Sequence, residues 1–263
     1  MTLEHGEGLR DRQMRERRTR ILDAAAQLIR ATGGTGLSMR TLAERAEVSL
    51  ATPYNLFGSK GGVLMALQFG SLEKLEQAME ELSARDPIEQ VLEIAELGAR
   101  IYTGDRSFWL PLMQAHWLAR GAIHESPLHP RIVALWHRSL QAGVDAGRLI
   151  PAANPEFVAR LLVVCFYGVL VLWIQGNLDG DGFRTHVLYG FVLTLLGVAM
   201  PAARPKLMKH LQELEREMAT GAGRLQAVPA QRPRRGASAR SARQEVAAVV
   251  TTRAIRHVGQ KVV

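Results

Sequence analysis

The chain has 263 residues, 47% hydrophobic and 22% charged, which supports a folded core and excludes a wholly disordered polymer. Its net charge of +8 is uneven: residues 1–60 carry +3, residues 61–200 carry −4 and residues 201–263 carry +9. A basic head on an acidic body points to a polyanion met by the head, and the single cysteine, Cys165, excludes an internal disulfide. In chain order, residues 1–11 are polar and read as frayed. From Arg12 onward, Ile21, Leu22, Ala25, Leu28 and Ile29 recur at helical spacing, and Gly33-Gly34 close that helix. Ser38 is the N-cap of a second, short helix with Met39, Leu42, Ala43 and Ala46 on its inner face. Glu47-Val48 form a turn. Ser49 is expected to cap a third helix, in the stretch "SLATPYNLFGSK", where Pro53 as fourth residue withholds its amide from the Ser49 carbonyl. There Tyr54 and Phe57 share a face, with Phe57 as a core plug and Tyr54 at the edge, its hydroxyl outward. Ser59 caps a fourth helix running to about position 82, and Lys60 stands beside its free amides, a suitable place for a phosphate.

Two short helices joined by a tight turn and braced by a longer first one form a helix-turn-helix. The remainder reads as helical. Pro87 opens one helix. Residues 108–120 form another, with an expected kink at Pro111. Residues 131–146 form a third, closed by Gly147. Asn154-Pro155 start a long apolar helix over 156–175, followed by a second over 182–200 and a short amphipathic one over 206–218. From Thr220 the chain is rich in Ala, Arg, Gly, Ser and Pro and reads as a disordered basic tail. The apolar runs 161–174 and 187–200 fall short of the roughly 18 residues that suggest a membrane span. No apolar h-region opens the chain, so the expected location is the cytoplasm.

Enzyme signatures are absent. "HESPLH", residues 124–129, spaces its histidines five apart around Pro127, which is not metal-ligand spacing on a helix. "GSKGG" lacks the spacing of a phosphate loop, no serine sits in a nucleophile elbow, and Cys165 has no evident base. No cofactor and no metal are implied.

The segment "ILDAAAQLIRATGGTGLSMRTLAERAEVSLATPYNLFGSKGGVLMAL", residues 21–67, resembles the head of TetR-type transcriptional regulators. The order of helix, Gly-Gly turn, "LAERA" helix, "VS" turn, Tyr-x-x-Phe and Ser-Lys carries the resemblance. A weaker likeness lies in "AGRLIPAANPEFVARLL" and "YGVLVLWIQGNLDGDGF", which resemble the family's last two helices. Three positions depart from the pattern: Glu47 where a turn glycine is common, Pro53 for a leucine-like residue, and Leu56 where a polar residue often adds a contact.

The resemblance implies an all-α fold with a helix-turn-helix head at residues 1–66, a helical ligand-binding and dimerisation body at 67–219 and the tail at 220–263. It implies a homodimer on a palindromic double-stranded operator, acting as a repressor released by a small apolar or amphipathic effector. Leu50 and Ala51 would face base edges, where they can touch thymine methyls and cannot make bidentate bonds to guanine. Ser38, Ser49, Thr52, Tyr54, Asn55 and Lys60 would hold phosphates, and Arg40 and Thr52 would add specificity alongside DNA shape. The run Arg15, Arg17, Arg18 and Arg20 is either a second grip on the backbone or a solvated face. Trp109, Met113, His116, Trp117, Phe166, Tyr167 and Trp173 read equally as ordinary core and as the wall of an effector pocket. The alternative to a regulator is a dimeric interaction module of the same fold that has lost DNA binding or ligand response.

Overall fold

The computed structural model describes residues 8–81, 86–120 and 128–220, without the side chains of Leu9, Glu81 and residues 116–120. Among the described residues there are ten helices and no strand. The expected tail after Thr220, the "HESPLH" loop up to position 127 and position 82 lie outside them.

Helix α1 (Leu9–Thr32) starts three residues earlier than the apolar pattern indicates. Apart from Leu9 and Met14 its first three turns are polar and carry no apolar period. An Arg12–Glu16 pair at 3.2 Å supports them. The helix ends on Gly33, whose left-handed φ of 62° suits a residue without a Cβ. Helix α2 (Met39–Arg45) is capped as expected: the Ser38 hydroxyl accepts from the Thr41 amide at 3.0 Å, and Met39, Leu42, Ala43 and Ala46 are buried.

The turn after α2 is a Schellman C-cap. The Val48 amide donates to the Ala43 carbonyl at 3.0 Å and the Glu47 amide to the Glu44 carbonyl at 3.3 Å. Glu47 occupies the left-handed position at φ 53°, where glycine would be unstrained. That conformation costs a non-glycine residue ~1–2 kcal/mol, while glycine's extra backbone entropy costs about 0.5–1 kcal/mol. Glu47→Gly is therefore expected to raise stability by about 0.5–1 kcal/mol. Thermal unfolding checks this, and a lowered midpoint contradicts it.

Helix α3 (Ala51–Phe57) begins one residue later than expected. Leu50, not Ser49, occupies the N-cap position, without a side-chain cap bond. The Ser49 hydroxyl instead lies 2.9 Å from the Thr52 hydroxyl, and the Ser49 carbonyl accepts from the Thr52 amide at 2.9 Å. Pro53 is thus the third helical residue, where an amide has no intrahelical partner, so its missing N–H costs no bond. Pro53 is also the residue of α3 that is fully buried. Phe57, expected as the plug, is half-buried, with the Arg18 guanidinium 4.7 Å above its ring.

Helix α4 (Lys60–Glu81) is capped by Ser59, whose hydroxyl accepts from the Gly62 amide at 3.2 Å. Six further helices follow: α5 (Pro87–Gly104), α6 (Arg106–Arg120), α7 (His129–Asp145), α8 (Pro155–Ile174), α9 (Gly180–Val198) and α10 (Arg204–Ala219). Pro111 lies inside α6 and supplies no amide to it. Helix α5 packs on α7 and α9, and α8 lies between α7 and α9. Arg184 of α9 ties α5 and α10 together through Glu96 at 2.8 Å and Glu217 at 3.0 Å. An isolated antiparallel bridge, Leu149 to Ala199, joins the residues that follow α7 and α9.

The run-length estimate for α8 needs correction. The 20-residue helix contains an 18-residue window of mean hydropathy 2.4 and is long and apolar enough by length and composition to cross a membrane. Counting only the uninterrupted run 161–174 missed the turn and a half that Glu156 and Arg160 interrupt.

Candidate nucleic-acid interface and effector cavity

The head presents α3 with one face in and one face out. Pro53 is buried, whereas Leu50 and Tyr54 are each 51% exposed and Ala51 and Asn55 are exposed beside them. An exposed leucine and tyrosine on one short helix have no partner within the core to explain them. Ser38 is exposed at the start of α2, and Lys60, half-buried, is the first residue of α4. Along the chain, α3 thus stands between the starts of α2 and α4, whose first turns keep backbone amides without intrahelical partners. Arg40 is exposed but engaged, its Nε 3.1 Å from Glu44. Thr52 is half-buried and held by Ser49.

Close approach shapes the junction of α3 and α4. A Cβ built on Gly62 would lie 2.0 Å from the Phe57 carbonyl oxygen, while one on Gly61 meets nothing nearer than the Ser59 hydroxyl at 3.6 Å. Only position 62 requires glycine for space.

All four arginines of the basic run, Arg15, Arg17, Arg18 and Arg20, are exposed. Arg18 stacks on Phe57 and so braces the head. Arg10, Gln13, Met14 and Arg17 of α1 line a groove with Thr52, Asn55 and Leu56 of α3. Their spacing of three, four and seven residues is one helical face. That signal was available but was hidden among equally basic neighbours.

At its other end α1 meets the body. Arg30 sits 2.8 Å from Asp105 and 5.1 Å from the centre of the Phe108 ring. Asp105 also accepts from the Ser107 hydroxyl at 3.0 Å and the Phe108 amide at 3.2 Å, at the start of α6. Partial burial works to raise its pKa. The hydrogen bonds from Arg30 and Ser107, the charge of Arg30 and the Phe108 amide outweigh it and hold the carboxyl below its ordinary value.

Beneath α6 lies a cavity of about 70 Å³. Of the residues singled out by sequence, Trp109, Met113, Phe166 and Tyr167 line it. Trp173 does not: it is fully buried elsewhere, 5.9 Å from Phe183 between ring centres, with Arg106 5.2 Å above its own ring. His116 and Trp117 lie in α6, with side chains outside the described residues. Sequence reasoning missed Gln68, Tyr102 and Trp136. They come from α4, α5 and α7, and no spacing along one helix signals convergence from three. The rings interlock, with Tyr102 4.9 Å from Trp109 and 5.9 Å from Phe166, and Trp136 6.1 Å from Phe166. Burial pushes the Tyr102 phenol up to about 12, and burial together with the neighbouring Tyr102 raises Tyr167.

Residues 21–67 match the family described as bacterial regulatory proteins, tetR family. Over 177 residues the chain is 28% identical to the HTH-type transcriptional regulator BetI of Paraburkholderia phytofirmans, covering 65% of this chain and 88% of that protein. Among solved structures, SmeT, the repressor of the Stenotrophomonas maltophilia multidrug efflux pump SmeDEF, matches with a TM-score of 0.56 at 21% identity, over 71% of this chain and 92% of SmeT. A structure described as the molecular basis for control of antibiotic production by bacterial hormones matches with a TM-score of 0.55 at 24% identity, over 70% and 97%. At these identities the two structures show the shared fold.

Proposed function

We propose that the chain, whose residues 21–67 match the tetR family of bacterial regulatory proteins, is a DNA-binding transcriptional regulator of that type: a cytoplasmic homodimeric repressor, released from a palindromic operator by a small effector. The head, residues 1–66, meets DNA, and the body, residues 67–219, dimerises and senses. One observation supports the reading: Leu50, Ala51, Tyr54 and Asn55 are exposed at and along α3, while Pro53 of the same helix is buried. Leu50 and Ala51 touch base edges by apolar contact, which favours thymine methyls. Tyr54, Asn55, Ser38, Ser49, Thr52 and Lys60 position the backbone, and the free amides of α2 and α4 add to the phosphate grip. Arg40 contributes once DNA draws it from Glu44, and Arg10 and Arg17 extend the basic surface beside α3. The tail adds nonspecific, salt-sensitive affinity.

The exposed apolar stripe of α8 is the dimer face. Phe157, Leu161 and Val164 point away from the subunit core, and Leu193 of α9 is exposed as well. Two such helices from each subunit make a four-helix bundle. The charged pair Glu156–Arg160, at 2.7 Å, sits within that apolar stretch and favours a protein interface over hydrocarbon.

Binding selections from random DNA test the assignment. Lys60→Ala and Tyr54→Phe are expected to weaken binding to all sequences alike, and Lys60→Ala to reduce the salt slope by close to one. Leu50→Ala is expected to change the preferred sequence more than the affinity. If Lys60→Ala changed the preferred sequence and Leu50→Ala left it untouched, the gripping and reading roles would be reversed.

A further inference from the structure

Resting on the effector reading above, we propose that the cavity under α6 takes an uncharged, compact, largely apolar molecule bearing a carbonyl or ether oxygen, with the Tyr102 and Tyr167 hydroxyls donating to that oxygen. Three observations carry this. Among the described residues that line the cavity, none is acidic or basic. A charged ligand would enter without a counter-charge, and an unpaired buried ion costs several kcal/mol. Second, the polar wall holds two phenols, Tyr102 and Tyr167, beside Gln68 and Ser71. Both tyrosines are half-buried, and burial raises both phenols. A raised phenol keeps its proton at every physiological pH and so offers a donor. Both residues line the same cavity, Tyr102 from α5 and Tyr167 from α8.

Third, a further donor waits in the same wall. Trp136 Nε1 is buried with no hydrogen-bond partner among the described residues. Indole nitrogen is a donor only, so this buried group calls for an acceptor. A ligand oxygen would supply one, whereas a hydrocarbon leaves the Trp136 donor unpaired. The volume of about 70 Å³ admits a few water-sized groups. A ring-sized ligand must therefore displace Trp109 or the flexible Met113. Trp109 adjoins Phe108, the ring beneath Arg30. Occupation of the cavity thus pushes on the contact between α1 and α6, which gives a physical route from ligand to head.

Four probes with the same six-membered ring decide the ligand class: cyclohexanone, cyclohexane, cyclohexanecarboxylate and cyclohexylammonium. Each is titrated into the full chain, following the indole resonances of Trp109 and Trp136. Cyclohexanone is expected to bind at least threefold more tightly than cyclohexane, although it gives up more hydration, and at least tenfold more tightly than either ion. Tyr102→Phe and Tyr167→Phe are expected to weaken cyclohexanone about three- to tenfold, the worth of one hydrogen bond, and to leave cyclohexane unchanged. Unchanged thermal midpoints show that the variants fold. Preference for an ion, indifference of cyclohexanone to both Tyr→Phe changes, or failure of all four probes to bind overturns the inference. The regulatory reading is tested separately: it fails if the unliganded chain selects no DNA sequence, whatever the probes do.

Discussion

Gly62→Ala is expected to lower the thermal midpoint by on the order of 10 °C and operator affinity by more than tenfold, while the adjacent Gly61→Ala does neither. The added methyl at position 62 would lie 2.0 Å from the Phe57 carbonyl oxygen, and a backbone oxygen cannot swing aside as a side-chain end can. Relief requires α3 and α4 to part, which displaces Tyr54 and Lys60 relative to each other. Forced overpacking of this kind costs about 3 kcal/mol, and each kcal/mol is worth roughly 2–4 °C in a domain of this size. At position 61 the nearest atom is the Ser59 hydroxyl at 3.6 Å, an ordinary contact, so alanine is accepted there. Calorimetry and operator titration of the two single variants check the contrast. Equal tolerance would mean that the two helices separate freely.

Val164→Glu is expected to weaken the dimer at least a hundredfold. Val164 is 64% exposed in the single chain and lies between Leu161 at 54% and Gly168 on the outward face of α8. In an isologous interface each substitution enters twice, and a carboxylate buried without a partner costs several kcal/mol. Even about 1.4 kcal/mol from each copy multiplies to a hundredfold loss. Sedimentation should show monomer at micromolar concentration for the variant and dimer for the parent chain, with helicity unchanged by circular dichroism. A parent chain that is monomeric at that concentration would remove α8 as the dimer face.

The head was legible because its signals are local. Ser38 as N-cap, Gly33 as left-handed C-cap and the buried face of α2 follow from spacing within a few residues of each other, and all three stand in the structure. Glu47 was legible as a departure, a glutamate where a turn glycine is common, and the structure places it at a left-handed φ of 53°. The third helix was read one residue early. Ser49 has the right side chain for a cap, but its hydroxyl is taken by Thr52, and the resulting start at Ala51 puts Pro53 where it costs nothing.

What the sequence by itself determined is the order of the helices, the Ser38, Ser59 and Asn154 caps and the helix-turn-helix, because each depends on contacts between residues no more than one or two turns apart. Tertiary structure decided the rest. Gly61 and Gly62 are identical as letters, and only the approach of Phe57 separates them. Trp173 looked as suitable a pocket residue as Trp109 and lies in closed core instead. Tyr102 and Trp136 gave no sign of facing one cavity with Tyr167, because they reach it from different helices whose packing angles no single-helix periodicity encodes. Arg30 and Asp105, 75 positions apart, meet only because α1 packs against α6. Local hydrogen bonding and turn chemistry act over a few residues and can be read along the chain, whereas the convergence of side chains from several helices is fixed by how their faces fill space together.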